Sequence, residues 1–387
     1  MESSKELIPT KSSSAFKKQA RRDQITGILF TFPAFLIIFI FGIFPIGYSI
    51  YMSLFNWQVT KGPFIGDKNY LLIFGSWWNL LVLVAGLGLF VLGFFVWTRA
   101  FQSINNGQRL AHIAGALVLI LGGVIFITGW GMMYETGNKD FLNSLIVTIY
   151  YALGTVPAEI ILGLVLAYIL YQDIIGKEAF RIIYFLPYIT PSISTAVVFQ
   201  IIFSSRETSL ANTIIGLFGI DPLRWRFEPK PVLNLLGFDV SGLAGGPSLA
   251  LVTIIIFGIW SFVGYNTVIF LSGLGNIPKE IYEAAEMDGA SKWDRFWHIT
   301  VPMISPVTFY LTLIGFIGTF KAFNHIYVMR TTSAQNTVVT TSLLVFDRFY
   351  KANQYGVATA QAIVLFAIIL GLTLAQNKIM GERVFYG

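Results

Sequence analysis

Few side chains in the apolar parts of this 387-residue sequence could do chemistry, and three of them are ionisable: Glu159, Lys321 and His325. A charge at the centre of a bilayer costs about 2.5–3.5 kcal/mol, so such residues usually face protein or water. Lys321 either snorkels to the interface from the outer end of its apolar run or faces a wet cavity. Glu159 follows Pro157 by two residues, and we expect it to hydrogen-bond backbone groups that the proline leaves free. Three such groups are too few for the proton relay of an ion-driven carrier.

Most catalytic and metal-binding chemistry is excluded by what the sequence lacks. No G-x-x-x-x-G-K-[ST] phosphate loop occurs, so we do not expect ATP hydrolysis by this chain. His112, His298 and His325 lie on separate segments without metal-ligand spacing, there is no Cys, and no G-x-S-x-G motif is present. We therefore predict no catalytic residue, no metal site and no cofactor in this chain.

The densest group of polar side chains is the segment EAAEMDGASKWDRFWHITVP at residues 283–302, which lies between two long apolar runs. Gly289 suits a left-handed C-terminal cap. The Ser-Lys-Trp-Asp sequence from Ser291 to Asp294 fits a capping box and predicts a second helix that Pro302 ends. The spacing thus predicts a helix–Gly–helix element. It leaves two interpretations open, a knob that docks in a partner's socket or an amphipathic connector at the membrane surface.

The elements that must position these residues are apolar runs, and a run of about 20 residues can cross a bilayer. The chain is 55% hydrophobic and only 12% charged, whereas soluble domains are about 25% charged. Eight runs are long enough: Ile25–Met52, Trp78–Trp97, Leu110–Met133, Asn143–Tyr171, Ile182–Phe203, Ser248–Leu271, Met303–Tyr327 and Tyr355–Asn377. We therefore predict an all-α integral membrane protein with about eight transmembrane helices.

The distribution of Lys and Arg predicts the orientation of the chain in the membrane. Residues 1–24 carry six of these basic residues, and basic segments stay on the cytoplasmic side. We therefore predict that the N- and C-termini and residues 283–302 are cytoplasmic. The same bias explains the net charge of +6, so a nucleic-acid partner is not expected.

The segment at 283–302 resembles the EAA loop of permease subunits of binding-protein-dependent ABC importers, and the preceding FLSGLGNIPKEIY resembles the lead-in to that loop. Within this family, the sequence resembles the carbohydrate branch, of the maltose type. It is carried by LFNW at Leu54–Trp57, RIIYFLPYITPSIS at Arg181–Ser194, FNHIYVM at Phe323–Met329 and the final GERVFYG. The resemblance covers the first span and everything from about residue 141 onwards.

This resemblance implies a type I ABC importer permease in the cytoplasmic (inner) membrane of a prokaryote, surrounded by lipid and carrying a sugar or oligosaccharide. The implied partners are a second homologous permease, an ATPase dimer that holds ATP and Mg, and an extracytoplasmic sugar-binding protein. The first helix of the EAA loop would dock on the ATPase. The implied coupling residues are Glu283, Ala284, Ala285, Asp288, Gly289 and Ala290. A secondary, ion-coupled transporter is the alternative.

The implied substrate-binding residues lie where relatives contact sugar or on neighbouring spans. They are Gln200, Asn266, Thr319, Lys321, Phe323 and Asn324. Sugar sites combine polar groups that match hydroxyls with flat aromatic rings, and both kinds of side chain are present here. The alternative for each residue is interhelical hydrogen bonding and packing.

The resemblance also divides the chain. We predict a cytoplasmic tail at residues 1–24, a first transmembrane helix at 25–52, an inserted transmembrane hairpin at 75–137, and a permease core at 141–387 with its EAA loop at about 277–302. Six-span relatives lack the hairpin. A second departure is the sequence RTTSAQ after FNHIYVM, where the family usually has a Gly-Gly-Pro turn.

Overall fold

The structure, a computed structural model, describes residues 13–100, 106–172, 174–240 and 242–381. The first twelve residues of the predicted tail and most of the final GERVFYG therefore lie outside the described residues. The first half of the chain forms these α-helices: α1 (Ser13–Ile38), α2 (Phe44–Ser53), α3 (Lys68–Phe74), α4 (Trp77–Ala100), α5 (Asn106–Thr136), α6 (Lys139–Tyr171), α7 (Lys177–Ile189) and α8 (Ser192–Ile202).

The second half continues the helical pattern with many short helices. They are α9 (Leu210–Gly216), α10 (Val232–Leu235), α11 (Leu249–Gly275), α12 (Lys279–Met287), α13 (Lys292–Arg295), α14 (Val301–Met303), α15 (Ser305–Phe320), α16 (Asn324–Met329), α17 (Gln335–Val338), α18 (Thr341–Phe346) and α19 (Tyr355–Gly381). The described strands are β1 (Phe55–Trp57) and β2 (Lys61–Phe64), an antiparallel pair that begins in the LFNW motif. This small hairpin was not expected from the sequence.

The apolar runs fold into spans largely as predicted. In the described part of the chain, six helices are long and apolar enough to cross a membrane, and two bent helix pairs raise the number to as many as eight. The first helix begins at Ser13 and continues through a π-helical turn at Phe39–Ile43. The helical backbone therefore continues into the polar segment before residue 25. The division into a cytoplasmic tail and a transmembrane helix near that residue stays a prediction.

The fifth predicted span is broken at a proline. Helices α7 and α8 meet at an angle of 97°. Thr190 has ψ 137°, outside the helical region, and Pro191 follows it. Proline disfavours helical backbone at the residue before it, which explains the break. Pro187 and Pro157, by contrast, lie inside α7 and α6, which continue through them.

The seventh predicted span is also broken, and it does not form one continuous helix. Helix α15 ends at Phe320, a separate helix α16 starts at Asn324, and the segment 292–303 meets α15 at 61°. The prediction of one continuous span from Met303 to Tyr327 is therefore wrong. The break coincides with a polar interruption of the apolar run, at Lys321, Asn324 and His325.

Helices α6 and α11 form the centre of the described core and pack closely through glycines. A Cβ added to Gly163 would meet the Asn266 side chain, and one added to Gly258 would meet Tyr151. Helix α7 approaches the same pair, since a Cβ at Gly264 would collide with the Tyr184 carbonyl oxygen. Small residues permit such close helix contacts inside membranes.

The predicted inserted hairpin is the antiparallel pair α4–α5, which packs with an unusually short backbone separation. Its contacts come from glycines spaced seven residues apart on each helix. A Cβ on any of these glycines would meet backbone atoms of the facing helix, and the facing pairs are Gly86–Phe126, Gly93–Leu119, Gly115–Trp97, Gly122–Phe90 and Gly129–Leu83. One constant register therefore runs along the whole hairpin.

Candidate functional site

A cavity of about 420 Å³ lies among α6, α7, α11, α15 and the segment that joins α15 to α16. Its size is in the range of about 300–1,000 Å³ that small-molecule sites occupy. Five of the six predicted substrate residues line it: Asn266, Thr319, Lys321, Phe323 and Asn324. The fold thus gathers side chains from separate helices around one space.

Gln200 is the predicted substrate residue that lies elsewhere. Its Nε2 donates a hydrogen bond of 2.6 Å to the Val328 carbonyl oxygen, and it does not line the cavity. Gln200 therefore holds α8 against α16, the packing alternative considered for these residues.

Aromatic rings form much of the cavity wall. Tyr188 on α7 stacks on Tyr265 on α11, with ring centroids 4.7 Å apart and 26° between planes. Phe257 stacks on His325 in the same way, at 4.9 Å and 21°. The sequence-based prediction missed these residues. In the sequence, the aromatic residues of the segment before Pro191 are the signal that could have predicted an aromatic cavity wall. The sequence of that segment does not indicate, however, which of these rings face a cavity.

The polar groups of the cavity include a buried pair and a carboxyl. The Tyr151 hydroxyl and His325 Nε2 are 2.8 Å apart. Glu159 is only 4% exposed and also lines the cavity. Nothing in the described structure joins Glu159 to the backbone near Pro157, so the predicted hydrogen bond there is wrong; α6 continues as a regular helix through the proline.

Lys321 lies at the rim of the cavity. It is the C-cap residue of α15, not a residue inside a span, and its side chain is exposed. It also contributes to the cavity lining. Of the two interpretations considered for this lysine, the wet cavity matches its position.

The segment at 283–302 forms the predicted pair of helices joined at a glycine. Gly289 has φ +84°, in the left-handed region that glycine adopts without strain. The Ser291 and Asp294 side chains form the predicted capping box at the start of α13. Pro302 does not end the second helix, because a π-helical turn at 296–300 leads directly into α14, where Pro302 takes a first-turn position.

Side-chain contacts brace the two helices of this element. The Arg295 guanidinium lies 2.7 Å from the Glu286 carboxylate. The hydroxyl groups of Tyr282 and Thr300 are 3.0 Å apart, and burial raises the pKa of the Tyr282 hydroxyl. Phe296 contacts the Tyr168 ring on α6, with centroids 4.8 Å apart. The element is thus connected to a core helix that also lines the cavity.

The predicted coupling residues form one outward surface of this element. Glu283, Ala284, Asp288 and Gly289 are exposed, and Ala285 and Ala290 are half-buried. Next to them, Met287 is 88% exposed. A projecting apolar side chain surrounded by small residues is a surface that a partner can approach closely.

Comparison with known proteins identifies this architecture. Residues 159–384 match the family described as binding-protein-dependent transport system inner membrane component. This match spans more than half of the chain and includes the braced element and all the cavity residues except Tyr151. The chain belongs to this permease family. The resemblance seen in the sequence is confirmed.

Three of the similar curated proteins have names that assign them to sugar transport. The arabinooligosaccharides transport system permease protein AraP of Bacillus subtilis is 31% identical over 68% of this chain and 79% of its own length. The trehalose/maltose transport system permease protein MalF of Thermococcus litoralis is 30% identical over 62% and 75%. The multiple sugar-binding transport system permease protein MsmF of Streptococcus mutans is 26% identical over 79% and 96%.

Solved structures share the fold of this permease. A bacterial ABC transporter involved in the import of the acidic polysaccharide alginate matches with a TM-score of 0.59 and 18% identity over 95% of this chain and 99% of that chain. An alginate transporter in complex with a periplasmic protein matches with a TM-score of 0.51 and 20% identity, over 69% and 92%. The predicted class, an all-α membrane protein of the importer permease type, is confirmed. The orientation of the termini stays a prediction.

On the other side of the permease, the RTTSAQ segment is tied to the loop that joins α8 to α11. The Thr331 hydroxyl donates to the Arg226 carbonyl oxygen at 2.9 Å, and Arg226 Nη1 donates to the Met329 carbonyl oxygen at 3.2 Å. Side-chain hydrogen bonds thus hold this segment in place.

Proposed function

We propose that this permease forms, together with a second homologous permease, the membrane pathway for a sugar or oligosaccharide that an extracytoplasmic binding protein delivers. The cavity carries this proposal. It combines stacked rings such as Tyr188 and Tyr265 with hydrogen-bonding groups such as Asn266 and Thr319. Aromatic faces contact the C–H face of a sugar, while amides and hydroxyls match its hydroxyl groups.

Three similar curated proteins support the same substrate class, because their names assign them to arabinooligosaccharides, to trehalose and maltose, and to multiple sugars. The proposed location is the cytoplasmic membrane of a prokaryote, with both termini in the cytoplasm. Six basic residues in the first 24 positions support this orientation.

The proposed energy source is ATP hydrolysis on a separate ATPase dimer, which would hold the ATP and Mg. The element formed by α12 and α13 supports a docking role, since it exposes Glu283, Met287 and Asp288 while its opposite face is braced by Arg295 and Tyr282. A rigid element can transmit motion if its contacts differ between two nucleotide states of the partner.

Uptake of radiolabelled sugars into proteoliposomes tests the proposal. The permease is reconstituted with its partner subunits and binding protein, and uptake of maltotriose and arabinotriose is measured with and without internal ATP. We expect uptake that requires ATP and is insensitive to an uncoupler. Uptake that survives ATP depletion but stops when the proton gradient is collapsed would contradict the proposal and favour an ion-coupled carrier.

The docking role has its own test. We expect Glu283→Ala and Gly289→Pro to weaken copurification of the ATPase or to uncouple sugar-stimulated ATP hydrolysis, while membrane insertion is retained. Lys378→Ala, an exposed change at the end of α19, is the matched control. Normal copurification and normal stimulated hydrolysis in both variants would exclude the assigned coupling surface.

A further inference from the structure

A second cavity, of about 520 Å³, lies where the hairpin α4–α5 meets the rest of the permease. The end of α5 forms one wall, and the start of α6, which follows after only Gly137 and Asn138, forms another. The segment between α8 and α11 and the short helix α17 complete the lining. No described residue lines both this cavity and the central one. The hairpin thus contributes to a separate site.

Backbone contacts hold the part of this lining that comes from the long loop. The Val232 N–H donates to the Pro247 carbonyl oxygen at 3.1 Å. Beside this bond, Pro231 and Ser248 form an antiparallel bridge, and both residues line the cavity. The loop is therefore folded against itself where it covers the space between α5 and α6.

Three aromatic rings and a carboxylate give this cavity its chemistry. Trp130 and Tyr134 lie one helical turn apart on α5, and Tyr150 lies on α6. Glu135 adds an exposed carboxylate, and no ion pair joins it to another described residue. Aromatic faces attract cations, and a carboxylate beside them adds a full opposite charge. The lining therefore favours a ligand that carries an ammonium group.

Basic side chains lie beside this acidic group. Nζ of Lys139 is 5.6 Å from the centre of the Tyr134 ring, and Lys139 follows Glu135 by four residues. Lys230 is exposed and lies between two prolines that line the cavity. A carboxylate in the wall with lysines next to it matches a zwitterionic headgroup, in which a phosphate follows an ammonium.

Two exposed apolar surfaces continue from the cavity along the spans. On α5, Ile127 and Ile120 extend the face that carries Trp130, and Ile127 is 70% exposed. On α6, Leu153 and Pro157 extend the face that carries Tyr150, and both are exposed. Apolar side chains exposed on membrane spans are covered by lipid or by another protein. The cavity is therefore continuous with surfaces that suit acyl chains.

We propose that this cavity binds one phospholipid with an ammonium headgroup, of which phosphatidylethanolamine is the representative. Its ammonium lies among the aromatic rings beside Glu135, its phosphate lies toward Lys139 and Lys230, and its acyl chains follow α5 and α6. Trp and Tyr are favoured at this headgroup level of a bilayer. The lipid fills the space between the hairpin and the core, outside the proposed sugar pathway.

Lipid binding to the purified transporter, and to the full-length permease alone, tests this site. Delipidated protein in detergent receives dioleoyl phosphatidylethanolamine or dioleoyl phosphatidylglycerol, which has the same chains and phosphate but no ammonium. Native mass spectrometry measures binding at rising lipid concentration. A diazirine on one acyl chain identifies the peptides that the lipid contacts. Glycerophosphoethanolamine, the same headgroup without chains, separates a lipid from a soluble ligand.

The variants change charge and ring separately. Glu135→Gln removes the carboxylate and Glu135→Lys reverses it, at an exposed position. Glu207→Gln removes an exposed carboxylate that does not line this cavity and is the charge control. Trp130→Leu removes one ring, and Trp78→Leu, at an exposed position on the same hairpin, is its control. Melting curves show that each variant is folded.

We expect the wild type to bind phosphatidylethanolamine more tightly than phosphatidylglycerol and to be labelled within residues 120–134 and 146–157. Glu135→Gln and Trp130→Leu should each weaken phosphatidylethanolamine binding about fivefold, as the loss of one exposed ion pair or one cation–π contact implies. Glu135→Lys should make phosphatidylglycerol the preferred lipid. The two controls should leave both affinities unchanged. Glycerophosphoethanolamine should bind at least about a hundredfold more weakly, because it buries no acyl chain.

Equal affinities for the two lipids in the wild type and in both Glu135 variants would overturn the proposal, since the lipid would then be unspecific. Labelling confined to other helices would also overturn it. Equally tight binding of glycerophosphoethanolamine would indicate a soluble ligand instead. Lipid binding to the permease alone that disappears in the assembled transporter would show that a partner subunit covers the cavity, which likewise contradicts a lipid site.

Discussion

Arg330 and Asp347 form a bidentate ion pair. It joins the segment after α16 to the π-helical turn at Asp347–Lys351, which follows α18. Nη1 of Arg330 donates to Oδ2 of Asp347 at 2.6 Å, and Nη2 donates to Oδ1 at 3.3 Å. Both side chains are largely buried, and Lys351 adds a further contact of 3.0 Å. The ion pair thus anchors the first residue of the RTTSAQ segment.

The first prediction concerns this pair. Arg330→Ala leaves the Asp347 carboxylate partly buried without its main partner, and hydrogen bonds to charged groups contribute about 1.5–3 kcal/mol. We expect a melting temperature several degrees below that of the wild type. Lys351→Ala, which removes an exposed partner of the same carboxylate, should cost much less. Equal losses in the two variants would contradict a dominant role for Arg330.

The second prediction is a pH dependence. Burial alone raises the pKa of Asp347, but hydrogen bonds from Arg330 and Lys351, with their charges, outweigh burial and hold the pKa below its ordinary value of 3.8. A group with a lowered folded pKa stabilises the protein above its unfolded pKa and stops doing so as the pH falls through the folded value. The melting-temperature difference between wild type and Asp347→Asn should be constant above about pH 5 and should shrink below about pH 4. A difference that grows on acidification would contradict this assignment.

The third prediction concerns the glycine-packed hairpin. Gly93→Leu and Gly122→Leu should separate α4 from α5, because each new side chain meets backbone of the facing helix; overpacking of this kind costs roughly 1–3 kcal/mol or more. Gly88→Leu and Gly131→Leu lie on the same helices with nothing within 4 Å and serve as controls. Cysteine crosslinking across the hairpin measures the separation. Equal crosslinking in all four variants would contradict close glycine packing.

The fourth prediction separates backbone strain from contact at the joint between α12 and α13. A Cβ at Gly289 meets nothing within 4 Å, but φ is +84°. Gly289→Ala should therefore cost about 1–2 kcal/mol through the backbone alone. Gly275→Ala, at an equally open helical position, should be neutral or stabilising, because alanine is the better helix former. Thermal unfolding of both variants decides the point.

The fifth prediction concerns the rim of the cavity. We expect Lys321→Ala to change transport kinetics more than assembly, since the side chain is exposed and caps α15. The measurement compares the KM and maximal rate of uptake with the yield of the assembled transporter. Unchanged kinetics would show that the lysine only snorkels to the interface.

Several features could be predicted from the sequence because their causes are local. The apolar runs indicate spans because crossing a bilayer depends on length and hydropathy along one segment. The capping box at Ser291 and the left-handed Gly289 depend on a few neighbouring residues. The EAA segment identified the family before any helix was positioned, and the family match at 159–384 confirms it.

Other features required the tertiary structure. The hydrogen bond from Gln200 to Val328 and the burial of Glu159 depend on helices far apart in the chain. Hydropathy does not register them, because it describes a residue and not what lies opposite it. By itself the sequence determined the membrane-spanning elements, the family and the helix–Gly–helix element at residues 283–302. Only the tertiary structure decided which rings and polar atoms share a cavity, because that depends on close contacts between helices, made possible by glycines whose partners lie on other segments.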